Sequence, residues 1–255
     1  MICSRTAPIA LFDSGAGGIG VLREVQKLLP WEQLLYFGDA ANAPYGERAP
    51  HEVRALVIKH SARLLTVAKA LVLACNTATA LAAQELRLRY PHIPIICMEP
   101  ALRPALRVRE HPTVAVLATT VTLQGEKFAQ LRQKYEKSAT VLPICAPGIV
   151  RLVEQGLANS PQMDAYLQSL FSTLPQSPDA VVLGCTHFPF AQNAIRRTLG
   201  QNIPLFDGAA GTARELYRRL AAQDLLAPTT QAGAVQVFSS APASLPLFIR
   251  LYKGG

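Results

Sequence analysis

No apolar run in this 255-residue sequence approaches the roughly 20 residues that a membrane-spanning helix needs, because Arg, Lys, Glu, Gln or Pro interrupts every stretch. The opening MICSRTAPIALFDSG lacks the sustained apolar core and small-residue cleavage site of a secretion signal, so a soluble cytoplasmic protein is expected. The cysteines, at positions 3, 75, 97, 145 and 185, are odd in number and include no CxxC pair, which argues against a disulfide framework and against a zinc ribbon. Free thiols in a reducing compartment fit better. Acidic residues are few: 17 against 25 Lys and Arg, for a net charge of +8. The basic residues are nonetheless dispersed, at Arg87 and Arg89, Arg103 to Arg109, Arg196 and Arg197, and Arg214 to Arg219. No aromatic residues interleave with them as a groove for single-stranded nucleic acid requires, so they read as solvated helix faces and nucleic-acid binding is not expected.

What is present is alternation. Short apolar runs recur at PIALF (8 to 12), QLLYFGD (33 to 39), ALVLAC (70 to 75), IPIIC (93 to 97), TVAVLA (113 to 118), TVLPIC (140 to 145), DAVVLGC (179 to 185) and IPLFD (203 to 207). Apolar on both faces, they read as parallel strands covered by helices on either side. VLREVQKLL, VRALVIKHSARLLTVA, ALAAQELRLRY and ARELYRRLAAQDLL carry helical periodicity between them. An α/β fold with mostly parallel sheets is predicted, in a chain long enough for one large or two small domains.

Two segments echo one another. LVLACNTATA (71 to 80) and VVLGCTHFPF (181 to 190) share the form apolar strand, small residue, Cys, Thr within two residues, then helix. Their cysteines lie 110 residues apart, about one small domain. Two similar halves would each present a thiol at the carboxyl end of a strand, where open α/β sheets bind ligands. Cys3, Cys97 and Cys145 are instead expected to be buried core residues.

Gly15, Gly17 and Gly20 form G-x-G-x-x-G after the first strand, and Asp39 ends the next, which is the pattern of a dinucleotide site. Against an NAD oxidoreductase, Asp13 and Ser14 place a carboxylate where pyrophosphate would approach, and no hydride-transfer site follows. Glycines at a helix start also expose backbone N–H groups to a substrate carboxylate.

Cys75 and Cys185 are each placed at a strand-to-helix switch, where a helix N-terminus favours a thiolate. Lowering a thiol from about 8.5 to about 7 takes roughly 2 kcal/mol. A helix N-terminus supplies about 0.3–1 kcal/mol of that, and His187 as imidazolium can supply the rest. His187 and Cys185 have no further ligand at metal spacing, so no metal is expected. Inverting a carbon centre needs two acid/base groups, one on each face, and two such thiols meet that demand. Pyridoxal phosphate would require a Schiff-base lysine. Lys27, Lys59, Lys69, Lys127, Lys134, Lys137 and Lys253 all lie in helical, linker or terminal contexts, so no cofactor is expected.

IALFDSGAGGIGVL, YFGDAANAPYGER, LACNTATA, MEP at 98 to 100, CAPGIVRLVEQG and LGCTHFP, in this order over most of the chain, resemble the glutamate racemases. The resemblance implies two pseudo-symmetric three-layer α/β domains, 1–97 plus 208–255 and 98–207, with the active site in the cleft between them. It implies cofactor-free interconversion of L- and D-glutamate, supplying D-glutamate for peptidoglycan, by a cytoplasmic homodimer. By similarity Cys75 and Cys185 are the two bases, assisted by Asp13, Glu154 and His187. The substrate contacts it implies are Asp13, Ser14, Pro44, Tyr45, Gly46, Asn76, Thr77, Thr119, Thr122, Thr186 and His187. Its last segment, VQVFSSAPASLPLFIRL, would return to complete the first domain. Three departures stand out: Phe188 replaces a usual Tyr, the loop at Ala118 to Thr122 lacks the family's Gly, and Gly20 replaces a frequent Ser, which alone creates the dinucleotide pattern. A racemase acting on aspartate or another acid, and a positively charged DNA-interaction module, are the rival readings.

Overall fold

The computed structural model describes residues 4–229 and 232–254, so Cys3 lies outside the described residues. The chain divides into two compact units, Met1–Glu99 with Ala209–Gly255, and Pro100–Gly208.

The first unit runs β1 (Ile9–Asp13), α1 (Ile19–Leu28), β2 (Leu34–Gly38), α2 (Pro50–Leu64), β3 (Ala70–Leu73), α3 (Asn76–Arg89) and β4 (Ile95–Cys97). The second holds α4 (Leu102–Ala105), β5 (Thr113–Ala118), α5 (Thr120–Gln124), α6 (Glu126–Tyr135), β6 (Thr140–Cys145), α7 (Pro147–Glu154), α8 (Pro161–Phe171), β7 (Ala180–Leu183), α9 (Gln192–Leu199) and β8 (Leu205–Phe206). The chain then returns to the first unit with α10 (Ala209–Ala222), β9 (Val235–Ser239) and α11 (Leu245–Lys253).

The first sheet has the order β4-β3-β1-β2-β9 and the second β6-β5-β7-β8, with every pairing parallel. From its other edge the second sheet is β8-β7-β5-β6, the same winding as β4-β3-β1-β2. In each unit the first strand is central, the second lies on one side and the third on the other. Strand order therefore reverses between β1 and β3, and again between β5 and β7. Loops leaving such a switch point diverge to opposite faces and open a crevice at the strands' carboxyl ends. Cys75 follows β3 and Cys185 follows β7, so the echo between the two cysteine segments is an echo of topology.

The strands at these switch points are apolar on both faces because both are covered: every residue of β1, β3, β5 and β7 is buried. The run TVLPIC differs. It is β6, an edge strand with only Ile144 buried, and the edge is where Pro143 is tolerated, since a central strand would need its missing N–H. The expectation that Cys145 is a core residue fails for the same reason: it ends this edge strand, exposed, near the Thr120 hydroxyl. Cys97, at the end of edge strand β4, is only half-buried and accepts a hydrogen bond from Arg87.

Lys69 lies in the link between α2 and β3, and it is buried. It enters β3 completely buried and pairs at 2.6 Å with Glu32, also buried, from the loop before β2. Its ammonium donates to the Arg5 carbonyl, and Glu32 accepts from the Ala227 N–H at 2.8 Å. This pair therefore closes the amino-terminal end of the first sheet, opposite the end that carries Cys75.

Several of the dispersed arginines are engaged in ion pairs. Arg218 and Arg219 pair with Glu215, Arg197 with Asp164, Arg109 with Asp179, and Arg54 and Arg89 with Glu85. Among the described residues, no helix is long and apolar enough to cross a membrane.

Candidate active site

In the first unit the chain leaves β3 through Ala74, whose N–H donates to the Phe12 carbonyl on β1. That bond delivers Cys75 to the start of α3, where it is the N-cap: its sulfur accepts from the Ala78 N–H at 3.4 Å. The same thiol donates to the Ser14 hydroxyl at 3.7 Å. A 14-residue helix opening on the sulfur supplies an oriented positive end as well as one direct donor.

Beside it, Asp13 ends β1 fully buried, and its carboxylate accepts from the Gly15 N–H at 2.9 Å. The loop amide that a dinucleotide phosphate would need is thus already engaged by Asp13, while Tyr36 donates to the Gly15 carbonyl at 2.7 Å. Asp39, the residue that would bind a ribose, is closed off too: Tyr45 and Asn42 hydrogen-bond its buried carboxylate. The glycine pattern serves the Asp13 turn, and the NAD reading loses both of its supports.

Asn76 and Thr77 follow Cys75 and are buried. Among the described residues, neither polar atom of the Asn76 carboxamide has a hydrogen-bond partner. Leaving a buried amide unpaired costs about 1–3 kcal/mol, so its presence beside a thiol marks a place for a polar ligand. Pro44, Tyr45 and Gly46 lie in a loop of two short 3-10 turns, with the Ala43–Pro44 peptide cis. Burial first, then the hydrogen bond to Asp39 and the negative fields of Asp39, Cys75 and Asp13, push the Tyr45 phenol well above its usual range.

The second unit repeats the plan with a different activating device. Gly184 replaces Ala74, and its N–H donates to the Leu117 carbonyl on β5 at 2.7 Å. A side chain could not be accommodated here, because a Cβ on Gly184 would lie 2.7 Å from the Leu117 oxygen and 3.1 Å from the Ala118 Cβ. Cys185 follows, buried. The expected helix start does not: a 3-10 turn at Phe188–Ala191 intervenes, and α9 begins only at Gln192. The positive partner is a side chain instead. His187 Nδ1 lies 3.7 Å from the Cys185 sulfur, and its Nε2 lies 2.6 Å from Glu154 Oε1. Burial alone would lower His187, but the hydrogen bonds to Cys185 and Glu154 and their negative charges prevail and hold it well above the usual histidine value. The ring is lodged between a thiol sulfur and a carboxylate, an arrangement that favours its protonated form.

Glu154 reaches this position because α7 stops just after it. Gly156 adopts φ 75°, the Leu157 N–H bonds the Leu152 carbonyl and the Gly156 N–H bonds that of Val153, a Schellman ending that only glycine makes without strain. Thr119 and Thr122 are buried and hydrogen-bond one another at 3.0 Å, with Thr119 capping α5. The loop therefore keeps a capped helix without the family's Gly. Thr186 is buried, and Phe188 packs wholly inside the second unit's core among residues that include Cys185 and Ile149.

His187 gives this site a pH signature. A group whose folded pKa is raised contributes stability that is complete below its unfolded value, about 6.5, and is lost as pH rises through the folded value. Melting temperatures followed from pH 6 to 9 are expected to fall, and Glu154→Gln to flatten that slope. An unchanged slope in the variant would place the dependence on another group.

Residues 20–216 match the family described as Asp/Glu/Hydantoin racemase. A glutamate racemase of Clostridium perfringens is 41% identical over 238 residues, covering 92% of each chain. The solved glutamate racemase RacE1 of Bacillus anthracis superposes with a TM-score of 0.87 at 28% identity, covering 98% of this chain and 95% of that one. Escherichia coli glutamate racemase, solved with L-glutamate and an activator, gives 0.81 at 27% identity, covering 97% and 95%.

Proposed function

The chain belongs to the Asp/Glu/hydantoin racemase family, and on that premise we propose that it interconverts L- and D-glutamate without a cofactor, using Cys75 and Cys185 as paired acid and base. The observation that carries this reading is that both thiols stand at equivalent strand ends, each with its own source of positive charge: the first turn of α3 for Cys75, the His187 imidazolium for Cys185.

One thiolate removes the α-proton, and the electron pair left on carbon delocalises into the substrate carboxylate. The opposite thiol then returns a proton to the other face. The first cysteine ends as thiol and the second as thiolate, and the reverse reaction restores the starting state. Both thiols must reach one α-carbon for this to occur. Asn76 suits the substrate's charged groups, with its Nδ2 donating to a carboxylate oxygen and its Oδ1 accepting from the ammonium. Asp13, Ser14, Pro44, Tyr45, Gly46, Thr77, Thr119, Thr122, Thr186 and His187 complete the set of substrate contacts, with Asp13, Glu154 and His187 supporting proton movement. In the cell the product would be D-glutamate for peptidoglycan, made in the cytoplasm by a homodimer.

Circular dichroism of D-glutamate incubated with protein stripped of metals and small molecules tests the reading. The optical signal should decay to zero, and a signal that persists would refute it. D-aspartate in parallel tests chain length: a site fitted to glutamate should disfavour the shorter acid in kcat/KM by about 10- to 200-fold.

A further inference from the structure

Asp39 is completely buried at the end of β2, yet it is the meeting point of four segments. Its carboxylate accepts from the Tyr45 hydroxyl at 2.6 Å and from the Asn42 amide at 3.0 and 3.1 Å. His60 Nε2, on α2, lies 3.5 Å away, with its ring stacked on Phe12 and tilted against Phe37. The Ser240 hydroxyl, just past β9, accepts from the Ala41 N–H at 2.9 Å and is among the groups that lower the Asp39 carboxyl. The Asp39 backbone N–H donates to the carbonyl of Asp13 at 3.0 Å. Burial alone would raise this carboxyl, but the bonds from His60, Ser240, Tyr45 and Asn42 outweigh it and hold it well below the carboxylate range.

We propose that Asp39 is a positioning residue for the racemase site: through the Tyr45 hydroxyl it fixes the loop at Ala40–Glu47, so that Pro44, Tyr45 and Gly46 meet the substrate in register with Asp13 and Cys75. This inference rests on the glutamate reading above. Its chemical basis is that a phenol donates to one Asp39 oxygen and an amide NH2 to both, with an imidazole nitrogen 3.5 Å away. Only an ionised carboxylate, an acceptor at both oxygens, satisfies them together. Asparagine has the same shape but turns an NH2 towards at least one of these donors. The Tyr45 phenol is committed to Asp39, so its hydroxyl acts by holding the loop and its ring and backbone face the ligand. Asp39 thereby couples the Asp13 strand end to the loop through one side chain.

The test is steady-state kinetics on glutamate for Asp39→Asn, Tyr45→Phe and the double variant, with thermal melts of each. Both single variants are expected to raise KM about tenfold while kcat stays within about threefold, the effect of losing one charge-assisted hydrogen bond from the binding step. The double variant should be no worse than Asp39→Asn alone, because both changes break the same link. A lowered melting temperature without a KM change would mean a merely structural role and overturns the inference, as would KM effects that multiply in the double variant. Should Asp39→Asn fail to fold, Tyr45→Phe decides alone, since an unchanged KM there removes the link. An inactive wild type in the same assay would overturn the glutamate reading and the inference with it, whereas an active wild type with unaltered variants overturns only the inference.

Discussion

Serine in place of either Cys75 or Cys185 is expected to lower kcat/KM for racemisation in both directions by about a thousand- to ten-thousandfold. An alcohol is a far weaker acid than a thiol, so the devices that favour a thiolate cannot ionise it. At Cys75 these are the Ala78 N–H and the α3 dipole; at Cys185 they are His187 and Glu154. Two further results would separate a two-base mechanism from one with a single base. In D2O, each variant should still wash deuterium into the α-position of one enantiomer, the one whose proton faces the remaining thiol, and the two variants should do so for opposite enantiomers. NMR of each enantiomer reads this directly. A variant lacking both thiols that still racemises at the wild-type rate would end the proposal. His187→Asn should affect only the Cys185 half, reducing exchange of the enantiomer that Cys185 serves and sparing the other.

The second large effect lies at the opposite end of the first sheet. Glu32→Leu strands the fully buried Lys69 ammonium without its partner and takes the acceptor from the Ala227 N–H. Removing one member of a buried ion pair costs about 3–5 kcal/mol. At about 2–4 °C per kcal/mol for a chain of this size, the melting temperature should fall by roughly 6–20 °C. Burial already pulls Lys69 below its usual pKa against the pull of Glu32, and without Glu32 it would shed its proton at still lower pH. Adding Lys69→Met should recover most of the loss, because two apolar side chains of similar volume need no partner. The kinetic constants of the folded variants should match wild type, since this pair sits at the amino ends of the strands and the thiols at the carboxyl ends. A Glu32→Leu protein that melts within about 2 °C of wild type would show the pair to be dispensable.

Much of this architecture is legible in the sequence. The runs at 8 to 12, 70 to 75, 113 to 118 and 179 to 185 mark strands covered on both sides, and they are the four strands at the two switch points. Edge positions were not legible, because TVLPIC is as apolar as its central neighbours; only its Pro143 hinted that no N–H would be needed there. Cys97 and Cys145 end two such edge strands, which is why neither is a core residue. Lys69 gave no signal at all, since a buried ion pair is recognisable only once Glu32 comes from about 40 residues away to meet it. Asp39 is visible as an acid at a strand end, but the groups around it, Tyr45, Asn42, His60 and Ser240, are gathered from a loop, a helix and the turn after the last strand.

The sequence by itself determined the fold class, the doubled cysteine motif and, through the resemblance, the racemase family, because these follow from local periodicity and from residues adjacent in the chain. Tertiary structure decided where the two thiols differ. Two cysteines in nearly the same local sequence come under different influences: Cys75 caps a long helix, whereas Cys185 is followed by a 3-10 turn and takes its positive charge from His187, held by a glutamate 33 residues away. His187 stands two residues from Cys185 and is legible as its cation; that Glu154 arrives from α7 to hold the ring, and that a 3-10 turn takes the place of a helix start, depends on where distant segments pack.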